Sequence, residues 1–318
     1  MRQGETAAPV KRLQARGFRI SPETQPGEAM LEFRPDAAFS NPSRSVILIK
    51  GGFNLAFECA APTPIMLMCH VRPERQERFV RAENFTLYPD VPHSFYIDGF
   101  GNKCTRLVAP PGRLSIWNRF VIADSGLPEQ LPYNAWQHEV SDLPEETLLF
   151  LLGSRYCDTQ LLMQQAWSLF GHLPEGWSRL QAILDYVHDR IRFDYGNARN
   201  DRTASQAHAE QTGVCRDYAH LAIAFCRCMN IPARYCSGYL GDIGVPLDPA
   251  PMDFSAWFEA YLGGQWWTLD ARHNQPRIGR ILMARGRDAA DTALSTAFGN
   301  AVLTEFSVIT ELEHPSQP

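Results

Sequence analysis

The hydrophobic pattern of the chain changes its period near residue 126, and this change limits the fold more than any other feature. From Val46 onward, short β-prone runs alternate with turn residues such as Gly51-Gly52. Many short strands at close spacing predict an antiparallel β-sandwich over residues 46–126. Residues 1–45 are rich in Pro, Gly and charged side chains, and we expect a poorly ordered extension there.

Beyond residue 126 the apolar spacing lengthens, and we interpret residues 127–157 as a linker. Apolar positions then recur every 3.6 residues. Three helices are predicted: Asp158–Phe170, Trp177–Ile191 and one from Cys215 to about Met229. Strand-like segments follow, ending with Ala301–Thr310. Helices followed by an antiparallel sheet predict an α+β domain over residues 158–311, with a tail at 312–318.

Composition excludes several classes of protein. The 318 residues carry 30 basic and 35 acidic side chains, so no partnership with nucleic acid or an anionic membrane is predicted. Apolar stretches are too short for a membrane span, and residues 1–20 lack the apolar core of a secretory signal. Eight cysteines are too few for a disulfide scaffold, which predicts reduced thiols in a cytoplasmic protein. Phosphate-loop and HExxH motifs are absent, and we expect neither a cofactor nor a metal.

One cysteine stands where chemistry is favoured, in the run Gly213-Val214-Cys215-Arg216-Asp217 ahead of an apolar helix. The glycine permits a tight turn into the helix. Cys215 would then lie in the first helical turn, where unpaired N–H groups favour a thiolate and could hold an oxyanion. This local pattern fits a nucleophile and a core thiol equally well. Cys226 and Cys228, on the apolar face, are interpreted as core thiols.

A predicted β-hairpin supplies the second element of a site. One strand covers Phe254–Leu262, Gly263-Gly264 form the turn, and a second strand runs from Trp266 to Asp270. This arrangement would make Ser255 and Asp270 neighbours at one end of the paired strands. An acid beside a strand-borne base is the geometry that orients an imidazole.

Together these motifs resemble the transglutaminase-like superfamily, in its bacterial branch of cysteine proteases with an N-terminal β-sandwich. The resemblance is carried by Gly213–Asp217, by Ala256-Trp257-Phe258-Glu259 and by Trp267–Asp270, and covers about residues 46–311. It implies a papain-like, transglutaminase-like cysteine hydrolase core. It also implies a catalytic triad of Cys, His and Asp in that order, in which Cys215 matches the nucleophile and Asp270 the orienting acid.

The position that the resemblance assigns to the histidine, directly before Ala256-Trp257, holds Ser255. Serine is a poor general acid at pH 7, and loss of a positioned acid or base commonly costs about 10²–10⁴-fold in rate. His273 is the nearest alternative base, with a loop or supporting role as the competing interpretation; His208 and His220 are more remote. Ser255 fits either a natural inactive paralogue or an introduced substitution.

Two hypotheses follow. The first is a transglutaminase-like cysteine protease or amidase, impaired by Ser255, in which Cys215 forms a thioester that water or an amine resolves. Its substrate would be a peptide or protein, with an amine as the alternative acceptor. The second is a catalytically silent module that binds peptides or a partner protein. Tyr195 and Trp257 are candidate lining residues, although packing explains both equally well.

Overall fold

The computed structural model describes residues 46–249 and 252–313. The predicted extension at residues 1–45 lies outside the described residues, as do residues 314–318 of the predicted tail. The described chain belongs to one compact unit.

Fifteen strands and five α-helices are found in the described residues. The strands are β1 (Ile47–Cys59), β2 (Thr63–Leu67), β3 (Phe79–Arg81), β4 (Thr86–Tyr88), β5 (His93–Ile97), β6 (Lys103–Ala109), β7 (Gly112–Asp124), β8 (Arg192–Phe193), β9 (Thr212–Gly213), β10 (Ala233–Tyr239), β11 (Ser255–Leu262), β12 (Gln265–Leu269), β13 (Ile281–Gly286), β14 (Ser295–Ala297) and β15 (Ala301–Leu312). The helices are α1 (Glu145–Leu148), α2 (Thr159–Phe170), α3 (Trp177–Arg190), α4 (Ala204–Glu210) and α5 (Cys215–Cys228). The three helices predicted from periodicity are α2, α3 and α5, each within about one residue of its predicted bounds.

Two antiparallel sheets form the N-terminal part of the fold. One has the order β15-β1-β7-β3, with β4 also on β7, and the other has the order β14-β2-β6-β5. Alternate side chains of both sheets enter one apolar cluster, so burial of these side chains holds the sheets together. Representative members are Phe53, Ile65, Leu107 and Ile116, each at most 3% exposed.

The long strand β1 differs from the sequence prediction, which placed a break at Gly51-Gly52. These glycines continue the extended strand and pair with Phe120 and Arg119 of β7. A Cβ on Gly51 would lie 2.3 Å from the Phe120 ring, and one on Gly52 would lie 2.2 Å from the Asn118 carbonyl oxygen. The glycines are therefore required by close packing inside a strand and do not mark a turn.

The remaining elements build an α+β layer around α5. The sheet β12-β11-β10-β13 is antiparallel, and every residue of β11 is buried. Residues Asp217–Cys228 of α5 are all buried as well, as expected of a helix that is surrounded by other elements. Helices α2, α3 and α4 contact α5 on one side, and β10 and β11 contact it on the other. The predicted α+β fold, preceded by antiparallel β-structure, is confirmed.

The last strand joins a different sheet from the one expected. Ala301–Thr310 was grouped with the strands that follow α5, whereas β15 pairs with β1 along nearly its whole length, from Ala301 opposite Cys59 to Leu312 opposite Ile49. A local apolar pattern identifies a strand and carries no information about its distant partner. The domain bounds given above otherwise stay a prediction.

None of the helices in the described residues combines the length and apolarity needed to cross a bilayer.

Candidate functional site

Cys215 is the first residue of α5 and is partly exposed, whereas the other seven cysteines are buried. Cys215 and Ala256, the second residue of β11, line the same cavity, and the Ala256 backbone N–H acts on the sulfur. Burial raises the pKa of the Cys215 thiol to about 11, although Arg272 and the Ala256 N–H act in the opposite direction. The sequence suggested a helix-stabilised thiolate; in the structure, loss of solvation outweighs that effect and the thiol is protonated at pH 7.

The turn that positions Cys215 is held by a buried carboxylate. Asp217 accepts a hydrogen bond of 2.9 Å from the backbone N–H of Val214 and one of 2.9 Å from Arg202 Nη1. Asp217 is fully buried. A Cβ on Gly213 would lie 2.7 Å from the Asp217 side chain, which explains the glycine two residues before the cysteine.

Ser255 begins β11, is 8% exposed, and shares a cavity with Cys215. This space, called the nucleophile cavity below, has a volume of about 1060 Å³. It is lined by residues that precede α5, by the start of β11 and by the segment that follows β13. The structure therefore brings the predicted nucleophile and the position expected for the histidine to one open space.

Asp270 follows β12 and is 6% exposed. Its Oδ1 accepts hydrogen bonds from the backbone N–H groups of Arg272 (2.9 Å) and His273 (3.2 Å). Its Oδ2 lies 2.8 Å from His273 Nδ1 and 3.1 Å from Arg280 Nη2. Burial alone would raise the pKa of Asp270, but the hydrogen bond from His273 and the charge of Arg280 outweigh burial and lower it.

The carboxylate of Asp270 is directed to His273 and Arg280, and among the described residues no hydrogen bond joins it to Ser255. The ladder between β11 and β12 ends with Phe258 opposite Leu269, so Ser255 lies three residues beyond the last pair. The predicted hairpin is present, with Asp270 directly after its second strand. The acid orients an imidazole, but that imidazole belongs to His273.

His273 borders a second, smaller space of about 90 Å³, called the histidine cavity below. Tyr195, Arg272 and Ser255 line it as well. Three consecutive residues, Asp253–Ser255, line both cavities, so the two cavities lie next to each other. The His273 side chain is 20% exposed.

Of the two aromatic residues predicted to line the site, Tyr195 borders a cavity and Trp257 does not. Tyr195 is 46% exposed and lines the histidine cavity, and burial of its hydroxyl raises its pKa. Trp257, considered as a wall of the cleft, lines neither cavity; it is 2% exposed and packs with Cys236 and Leu282 on the face of β11 away from α5. Successive strand residues point to opposite faces, so Trp257 is turned away from α5, whereas Ala256 and Phe258 pack against the cluster around it.

The remote histidines lie outside both cavities. His220 is buried, stacks on Tyr156 and accepts a hydrogen bond from the Ala289 backbone N–H. His208 contacts Tyr186, with Nε2 2.8 Å from the tyrosine oxygen. In residues 46–249 and 252–313 no group of three or more His, Cys, Asp or Glu side chains is arranged to hold a metal ion.

Three charged residues of the site were not identified from sequence. Arg280 binds Asp270 from ten residues downstream, Arg272 lies near the Cys215 sulfur, and Asp253 lines both cavities. Burial raises the pKa of the Asp253 carboxyl. Sequence proximity to Ser255 and Asp270 was the only available signal, because the contacts themselves arise from tertiary packing.

One wall of the nucleophile cavity carries positively charged side chains. Arg155, Arg199 and Arg216 line it. The guanidinium carbons of Arg155 and Arg216 lie 5.4 Å and 5.3 Å from the ring centroid of Tyr156. Arg199 is neutralised by Asp201 at 3.1 Å and Arg216 pairs with Asp217 at 3.6 Å, so Arg155 is the member of this group without an ion pair among the described residues. The cavity is thus cationic on the side of Tyr156 and acidic at Asp253, with Cys215 among its lining residues.

Comparison with known proteins supports the assignment of the core. The sequence profile of the transglutaminase-like superfamily matches residues 170–271. A crystal structure from Cytophaga hutchinsonii, described provisionally as a cysteine protease, is 29% identical and superposes with a TM-score of 0.72. That match covers 86% of this chain and 93% of the other.

The alignments with sequence relatives cover a smaller part of the chain. An uncharacterised protein of Mycobacterium leprae is 34% identical over 107 residues, which is 31% of this chain and 37% of that protein. One from Mycobacterium tuberculosis is 33% identical over 125 residues, 35% of this chain and 40% of that protein. The chain thus matches well under half the length of these relatives. The profile match and the similarity to the Cytophaga structure show that residues 170–271, which hold Cys215 at the tip of a central helix beside a hairpin, form a transglutaminase-like core.

Proposed function

We propose that the protein is a transglutaminase-like cysteine amidase or acyl transferase acting on peptide or protein carboxamides. The Cys215 sulfur attacks the acyl carbon, a C–S bond forms, and the C–N bond breaks as the amine leaves with a proton. Water or a second amine then attacks the thioester and releases Cys215. The observation that carries this proposal is the position of Cys215, a partly exposed residue at the α5 tip that lines a cavity of about 1060 Å³ together with Ser255 and Ala256.

Ser255 should make this activity low toward amides. No imidazole stands at the position expected for it, and a thiol whose pKa is raised to about 11 is almost wholly protonated at pH 7. Amide cleavage needs a proton delivered to the leaving nitrogen, whereas an aryl ester releases a stable phenolate without one. We therefore expect activated esters to acylate Cys215 much faster than amides.

A silent binding module on the same scaffold is the second candidate. The protonated thiol and the serine at position 255 favour it, because both reduce nucleophilic reactivity while the cavity is retained. Such a module would hold an extended peptide in the nucleophile cavity without turning it over.

The two candidates are separated by acylation with an aryl ester, followed by hydroxylamine as the acceptor. The unaltered chain should form one acyl adduct on Cys215 and transfer it to hydroxylamine, and Cys215→Ala should abolish both. Cys59→Ala is the matched control, because Cys59 lines neither cavity. Undiminished turnover in Cys215→Ala would refute the nucleophile assignment. Saturable peptide binding without any adduct would favour the module.

A further inference from the structure

We propose that His273, held by Asp270, is the proton carrier of this site and takes the place of the imidazole missing at position 255. It would exchange a proton with Cys215 through the space that Ser255 lines. This inference rests on the proposed thiol chemistry and adds the residue that makes that chemistry feasible in this chain.

The hydrogen bonds of Asp270 define the state of the His273 ring. The carboxylate is ionised, because Arg280 and two backbone N–H groups contact it, and an ionised carboxylate only accepts. His273 Nδ1, 2.8 Å from Oδ2, therefore carries the hydrogen. In the neutral ring Nε2 is then the acceptor, free to take a proton. This is the pairing by which an aspartate orients a catalytic histidine.

The space between the ring and the thiol is suited to proton transfer. His273 and Ser255 line the histidine cavity, and Ser255 and Cys215 line the nucleophile cavity. A water needs about 10–15 Å³ of such space, so the 90 Å³ of the histidine cavity accommodates several. The Ser255 hydroxyl both donates and accepts, so it can bridge water to the sulfur.

The proton that the thiol loses is the proton that the leaving amine receives, so no external acid or base is needed. As Sγ attacks the acyl carbon, neutral His273 receives the thiol proton by way of the hydroxyl or water and becomes an imidazolium facing Asp270. It then returns that proton to the leaving nitrogen as the C–N bond breaks, and the ring is neutral again. The carboxylate of Asp270 stays ionised throughout and stabilises the intermediate imidazolium.

Asp253 is the competing proton carrier. It lines both cavities, precedes Ser255 by two residues, and burial raises the pKa of its carboxyl. The other titratable or charged groups facing the histidine cavity are Tyr195, Asp242, Asp248, Arg272 and Arg277. His273 differs from Asp253 in being oriented by a buried carboxylate, so we assign the role to the ring.

The decisive test compares His273→Asn with His273→Ala. Asparagine places a donor N–H near the position of Nδ1 and keeps the bond to Asp270, but it cannot carry a proton. The measurement is the rate of Cys215 acylation by an aryl ester from pH 5 to 9, with thermal unfolding to verify the fold. We expect both variants to lose at least about tenfold in rate and to show a different dependence of the rate on pH. His172→Asn, at an exposed histidine outside both cavities, should change neither.

Three outcomes would overturn the assignment. A normal rate in His273→Asn with a loss only in His273→Ala would make His273 a positioning residue for Asp270. A loss of rate in Asp253→Asn, with His273→Asn unchanged, would transfer the role to Asp253. An identical dependence of the rate on pH in the unaltered chain and in His273→Asn would also contradict it. Iodoacetamide labelling of Cys215 at high pH, where no base is needed, shows separately whether the thiol itself is reactive.

Discussion

At the scale of single residues, the site depends most on the charge of Asp270. This carboxylate is buried, yet it remains ionised because Arg280 and the His273 hydrogen bonds lower its pKa. A group whose folded pKa is lowered stabilises the fold above its unfolded pKa of about 3.9, and that contribution is lost as the pH falls. Part of the acid sensitivity of the protein should therefore originate at Asp270.

The Asp270→Asn variant tests whether this carboxylate contributes to stability and to acid sensitivity. Removing one partner of a buried ion pair typically costs about 3–5 kcal/mol, so the unfolding free energy at pH 7 should fall by about that amount. The variant should also lose less stability than the unaltered chain between pH 5 and pH 3. Chemical denaturation at several pH values measures both effects. Asp189→Asn, at an exposed helix position, should change little; equal acid sensitivity in Asp270→Asn and the unaltered chain would contradict the account.

The sequence predicted Cys215, Ser255 and Asp270 as one site, because helix-start and hairpin motifs are local patterns. It could not predict that Asp270 binds His273 and Arg280, because those contacts depend on how the loop after β12 folds back. It also gave the wrong direction for the Cys215 pKa. The sequence indicates that Cys215 begins a helix, but it does not indicate how deeply the thiol is buried.

At the scale of elements, the start of α5 decides where the sulfur lies. Gly213, Asp217 and Arg202 form a buried turn in which a side chain at position 213 would collide with the carboxylate. Helices were predictable from their own periodicity. The long pairing of β15 with β1 was not, because residues more than two hundred positions apart form it.

Gly213→Ala should therefore displace Asp217 and loosen the first turn of α5. Overpacking of a buried site usually costs about 1–3 kcal/mol, and the Cys215 sulfur should also lose its fixed position beside Ala256. Unfolding by urea and the rate of Cys215 alkylation should both change. Gly99→Ala is the control, since nothing lies within 4 Å of a Cβ there. If Gly213→Ala and Gly99→Ala had the same stability and the same Cys215 alkylation rate, the turn before α5 would accommodate a side chain at position 213, which contradicts this prediction.

At the scale of the whole molecule, the nucleophile cavity is formed by residues from both the two-sheet domain and the α+β layer. Met68 lies on the first side, Cys215 and Arg155 on the second. The guanidinium of exposed Arg155 is held over Tyr156 at the cavity wall. Such a wall should attract acyl donors that carry a negative charge near the reacting carbon.

Labelling Cys215 with iodoacetate and iodoacetamide tests this preference, because the reagents differ chiefly in charge. Arg155→Gln should lower the ratio of the iodoacetate rate to the iodoacetamide rate by up to about fivefold, the effect of about 1 kcal/mol between screened charges. Arg106→Gln removes the same charge from an exposed position of β6 and should leave the ratio unchanged. Raising the salt concentration should reduce the difference in this ratio between the unaltered chain and Arg155→Gln. A ratio unaffected by Arg155→Gln would exclude charge selection at this wall.

The central claim is that the Cys215 sulfur faces position 255, where the resemblance to transglutaminase-like proteins places a histidine. The most direct measurement is the rate of Cys215 alkylation by iodoacetamide at pH 7 in the unaltered chain, Ser255→His and Ser255→Ala, with each labelled thiol identified by mass spectrometry. A histidine at position 255 should create a thiolate–imidazolium pair and raise the rate at Cys215 by at least about tenfold, while Ser255→Ala does not. A folded Ser255→His protein that labels Cys215 no faster than the unaltered chain would contradict the account.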